Sequence, residues 1–141
     1  MRGYGGDYMY LNLLNKEEQV GFLQLAYHVV HIDNKLDERE NAILQSYQLE
    51  MGLSEEIGMN NIDFNNVVSI FQKSNKRSQN AVLQEICCLI FADGIYHKNE
   101  DELLRKLQKA FDITDEKVEA CKQWAQQVLK IYSRGEELLN Q

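Results

Sequence analysis

One stretch of this chain occurs twice, sixty positions apart and in register without a gap. The first copy runs from Leu23-Gln24 through Asp33, Asp37 and Glu40 to Leu44 and Gln48; the second runs from Leu83-Gln84 through Asp93 and Glu100 to Leu104 and Gln108. In each copy an apolar helix ends at an acidic residue, the chain turns, and a new helix begins that carries Glu seven positions after that Asp. Further on, Leu53-Ser54 falls on Ile113-Thr114 and Glu56 on Glu116. A duplication of this kind builds a fold from two like units that bury their apolar faces on each other. The chain also has no proline, so nothing in it forbids helix interiors. The expectation is an all-α, single-domain helical bundle of about seven helices, in two pseudo-symmetric three-helix halves.

Cap chemistry locates those helices. Asn15-Lys16-Glu17-Glu18 has the form of a capping box, with Asn15 accepting from an orphan N–H and Glu18 reaching back. The helix that follows, about 16–32, is apolar around most of its circumference and belongs in the centre of the fold. Asp37 and Glu40 form a second box for a helix over about 37–51, which Gly52 stops. Ser54 caps a short helix, and helical spacing resumes with Ile62, Val67, Val68, Ile70 and Phe71 up to Lys73. Ser74 or Asn75 starts a second central helix over about 76–92. One more helix runs over about 97–111, and Thr114 caps a last one to about Ser133, with Val118, Cys121, Trp124, Ala125, Val128 and Ile131 on its buried side. Residues 1–10 read as a loose arm and 11–134 as the domain, with Tyr8, Tyr10, Leu11, Leu13 and Leu14 docking a short helix on it. Gly135 ends the last helix before a polar tail, 135–141.

The formal net charge is −7, and the only basic cluster is Lys73, Lys76 and Arg77, so nucleic acid is not an expected partner. A cation or the basic patch of a protein partner suits the charge better. No uncharged apolar run reaches the length of a membrane span, and the N-terminal residues lack the apolar core of a signal peptide. Three cysteines, Cys87, Cys88 and Cys121, read as reduced core thiols. Together these features imply a cytoplasmic protein.

If the two central helices run roughly parallel, Asp33, Asp37, Glu40, Asp93, Glu100 and Asp101 converge at one end. Carboxylates in that number suit a hard cation, which takes about six to eight oxygens when it is Ca²⁺ and six when it is Mg²⁺. The metal candidates are Asp33, Asp37, Glu40, Asp93 and Glu100, with Ca, Mg, Mn or Zn as the ion. Capping accounts for much of the same acid: Asp37 and Glu40 form a box, and Glu100 stands in a first turn, where the helix dipole favours an anion. Asp33 and Asp93 are left over, each just past the end of a central helix. The turns between are too short for an EF-hand loop of about twelve residues. His28 and His31 have a chelating i, i+3 spacing, but their counterparts are Cys88 and Phe91, so His28 reads as a half-buried core residue. No nucleophile stands beside an orienting base and no phosphate loop occurs, so a catalyst is not expected.

The segment Phe91-Ala92-Asp93-Gly94-Ile95, followed by Glu100, Leu103-Leu104 and Phe111-Asp112-Ile113-Thr114, resembles the TerB-like (tellurite-resistance) domain. The first copy, Ile32 to Glu40 followed by Met51-Gly52-Leu53-Ser54, looks like the same signature. The resemblance covers roughly 11–133. It implies an all-α domain of about seven helices with an acidic surface on Asp33, Glu40, Asp93 and Glu100. It also implies a non-enzymatic role associated with tellurite resistance and other stress responses, for which metal-ion binding has been suggested. Asn34 stands where Gly is usual, and Asn tolerates a left-handed turn. The competing expectation is a structural protein–protein interaction module, homodimeric in one form, whose acids serve only as helix caps.

Overall fold

The computed structural model describes residues 10–30, 38–52, 63–91 and 98–141. Among them are six α-helices and no strand: α1 (Lys16–Val30), α2 (Glu38–Glu50), α3 (Phe64–Gln72), α4 (Lys76–Phe91), α5 (Lys98–Phe111) and α6 (Asp115–Leu139). A short 3₁₀ turn, Leu11–Leu13, precedes α1. The all-α class is as the sequence implies. The short helix expected at Ser54 falls in 53–62, outside the described residues, as does the arm over 1–9.

Local chemistry explains the helix starts. The Asn15 N–H donates to Glu18 Oε1 at 2.8 Å and the Glu18 N–H to Asn15 Oδ1 at 2.9 Å, the reciprocal pair of a capping box. Asp63 caps α3 by accepting from the Asn65 N–H, Asn75 caps α4 by accepting from the Ser78 N–H, and Thr114 caps α6 by accepting from the Lys117 N–H. Between Ser74 and Asn75 it is therefore Asn75 that caps. The helix ends repeat as well. Gly52, after α2, has φ +66°, and its counterpart Asp112, after α5, has φ +53°. Both exits use the left-handed conformation of a helix C-terminus.

α1 and α4 are the central helices, and their burial repeats along with the sequence. Gly21, Phe22, Leu23, Leu25 and Ala26 are buried, and so are their counterparts Ala81, Val82, Leu83, Glu85 and Ile86. The pattern departs at Tyr27 and His28, half-buried where Cys87 and Cys88 are buried. Gly21 lets α3 come close: a Cβ there would stand 3.3 Å from the Phe71 ring. On the far side of the core, α6 packs on α4 and Leu11 and Leu14 close the bundle beside it.

Side-chain bonds set the helix directions. The Ser74 hydroxyl, just ahead of α4, donates to the Glu18 carboxylate in the first turn of α1. The Lys76 ammonium donates to the carbonyls of Phe111 and Asp112 at 2.6 and 3.3 Å, so the start of α4 meets the end of α5. Phe71 and Phe111 meet edge to face at 6.3 Å, while His28 lies 5.5 Å from Phe64. One end of the bundle therefore gathers the starts of α1 and α4 and the ends of α3 and α5. From it α1 and α4 run in the same sense.

Two expectations about α6 are corrected. The helix does not stop at Gly135; it continues to Leu139, because a single glycine away from other chain segments costs a helix only ~1 kcal/mol. Residues 135–139 are thus helix rather than tail. Ile131, expected in the core, is 71% exposed, because α6 has run past the bundle by that point, while Val118, Cys121 and Ala125 are buried. No described helix is long and apolar enough to cross a membrane.

Candidate functional site

Of the five acids expected to hold a cation, Asp33, Asp37 and Asp93 lie outside the described residues. Glu40 stands in the first turn of α2, four residues before Leu44, and its side chain is likewise outside them. Glu100 is described, and it is not a solvated cap. It is 3% exposed although Lys98 and Asn99 beside it are exposed. The cause is helical phase: Glu100, Leu103, Leu104, Leu107 and Phe111 form one inward stripe along α5. Glu100 thus extends the apolar face by one turn toward the helix start, where the dipole favours a carboxylate.

Asp101, one position on, leaves this group. Its carboxylate is 2.8 Å from Arg105 Nε and 3.7 Å from Lys122 Nζ, which joins α5 to α6 and supplies its counter-charge. Among the described residues no three His, Cys, Asp or Glu side chains are grouped to hold a metal.

One buried carboxylate, Glu85, escaped the sequence reading, and of Glu18 the capping box was expected but not the burial. Glu85 is 2% exposed in the middle of α4, where the first copy has Leu25, and accepts a hydrogen bond from the Tyr47 hydroxyl at 3.3 Å. Phe22 packs edge-on against Tyr47 at 5.1 Å, so the phenol is held between α1 and α4. A lone Glu on a helix otherwise apolar nearly all round was the available signal. Glu18 is 7% exposed and serves two helices at once through its bonds to Asn15 and Ser74. Burying a carboxylate costs several kcal/mol unless hydrogen bonds repay it; both oxygens of Glu18 have such bonds, whereas Glu85 accepts at Oε2 and its Oε1 is buried without one among the described residues.

His28 is half-buried against Phe64 with its pKa lowered, first by burial and then by the charge of Lys106, which lies over the same ring. His31 lies outside the described residues. The three cysteines are buried and none is in a disulfide. Burial raises the pKa of Cys87 and of Cys121, which keeps both as unreactive thiols. Of the basic cluster, Lys76 is engaged at the end of α5, while Lys73 and Arg77 line two separate clefts. Comparison of the chain with protein-family models, with curated proteins and with solved structures found no match.

Proposed function

We propose that this is a non-enzymatic, TerB-like domain associated with stress responses, whose acidic turns bind a divalent cation or the basic patch of a protein partner. Asp33, Asp37, Glu40, Asp93 and Glu100 would hold the ion. The observation that carries the reading is the burial of Glu100: a residue serving only as a helix cap has no need to turn inward. Bound there, a cation would add an ionic partner to a carboxylate that the fold has taken out of water. Pseudo-twofold pairing of the two halves belongs to the same reading, supported by the repeated burial and helix exits.

Thermal unfolding in EDTA and then in Ca²⁺, Mg²⁺, Mn²⁺ or Zn²⁺ tests it. A ligand of the native state at about 100 times its Kd adds ~2.7 kcal/mol, a midpoint rise of several degrees. The rise is expected with at least one ion and is lost in Asp33→Asn/Asp93→Asn. No response to any ion removes the cation.

The second reading, an interaction module that pairs with a second copy, has its own observation. Beyond the bundle α6 exposes Ile131 at 71%, Leu138 at 55% and Leu139 at 84%, continuing the stripe that Cys121 and Trp124 begin. A monomer at every concentration in sedimentation ends this reading.

A further inference from the structure

A cleft of about 230 Å³ lies where the first half of α4, the first turn of α6 and the 3₁₀ turn meet. Arg77, Asn80, Ala81 and Gln84 of α4 line one side, and Lys117, Tyr10 and Leu13 the others. The chain has 22 acidic residues against 15 basic, yet among the described residues no carboxylate lines this cleft. The α5–α6 cleft holds Asp101, Asp115 and Glu119, and the cleft at the starts of α1 and α4 holds Glu17 and Glu18.

The polar groups here all offer hydrogens. Arg77 and Lys117 are exposed, and among the described residues neither is in ion-pair contact with a carboxylate. Asn80 lines the cleft with its Oδ1 buried and without a hydrogen-bond partner among the described residues, and its amide N–H₂ is the group it can offer to an anion. The Tyr10 hydroxyl and the Gln84 amide add further donors. Two cations and several N–H and O–H donors, with apolar walls from Ala81 and Leu13, match an oxyanion with a small body. The volume equals that of roughly eight waters, which suits such a molecule.

We infer that this cleft is a binding site for a small oxyanion, a phosphate or a carboxylate, held by Arg77, Lys117 and the Asn80 amide. Arg77 supplies a planar fork and Lys117 a point charge from the facing helix. The site is independent of the acidic turns and of any cation they hold.

The test is titration of the ¹⁵N-labelled chain, in EDTA, with sodium phosphate and with sodium succinate, against sodium chloride at matched ionic strength. Saturable shifts of the amides around Arg77, Asn80 and Lys117 with phosphate, succinate or both support the site, and which anion acts identifies the source. Arg77→Gln/Lys117→Gln should weaken that binding by about tenfold or more. Asn80→Asp, which puts a negative charge at the cleft with little change of shape, should abolish it. These positions are on the surface or at its edge, so unchanged spectra elsewhere will show that the variants fold. No saturable shift with either anion, or equal binding by the double variant, overturns the proposal.

Discussion

The carboxylate of Glu18 accepts a hydrogen bond from the hydroxyl of Ser74, and through it the first turn of α1 is tied to the start of α4. The same carboxylate closes the capping box with Asn15, so one side chain caps its own helix and sets the direction of another. Removing it leaves an orphan N–H at Asn15 and leaves the Ser74 hydroxyl only the Ile70 carbonyl, 3.3 Å away. Glu18→Ala is expected to cost ~2 kcal/mol and Ser74→Ala ~1 kcal/mol. Because they share one bond, the double variant should lose less than the sum, which urea unfolding of all four proteins will measure.

Tyr47 and Glu85 should behave differently. Truncating one partner of a buried polar pair strands the other, whereas replacing both with apolar groups removes the demand. Tyr47→Phe is expected to cost ~1–2 kcal/mol. Glu85→Leu restores the residue type that Leu25 has in the first copy, and in the Tyr47→Phe background it should recover most of that loss. If the double variant is the least stable of the set, Glu85 has a role the apolar core cannot replace.

The bundle was legible because its signals are local. The Asn15–Glu18 box, the all-round apolar α1 and α4 and the Gly52 exit each depend on a few residues and helical phase. What escaped depends on long-range packing. Nothing near Glu85 announces a tyrosine thirty-eight positions earlier in the chain, and nothing near Ile131 announces that α6 outruns its neighbours. Glu100 falls between: its place on the Leu103–Leu107 stripe was visible, but its chemistry as a capping acid explained it too readily. Gly135 was misread because the expected stop rested on residue type, while a glycine ends a helix only where the chain takes a left-handed turn, as it does at Gly52.

That contrast gives predictions of opposite sign. At Gly52 a Cβ meets nothing within 4 Å, but φ is +66°, so Gly52→Ala should cost ~1 kcal/mol from backbone strain alone. Gly135 sits inside α6, also with nothing within 4 Å, so Gly135→Ala should stabilise by up to ~1 kcal/mol and raise the helical signal. Asp112, already at φ +53°, should gain ~1 kcal/mol as Asp112→Gly. A destabilising Gly135→Ala would mean that α6 breaks there in solution.

His28 makes stability depend on pH in a defined sense. Burial first, and Lys106 second, lower its pKa in the fold below the ordinary value of 6.5. The unfolded chain therefore takes up the proton at a higher pH than the native one. Between the two pKa values the unfolded state binds more protons, so stability rises with pH there. Its contribution is present above 6.5 and is lost as pH falls through the folded pKa. His28→Gln, which cannot titrate, should flatten the fall in urea midpoint between neutral and mildly acidic pH, leaving the carboxylates' share. An equal fall in both proteins would place the acid sensitivity elsewhere, and a steeper fall in the wild type alone assigns it to this ring against Phe64.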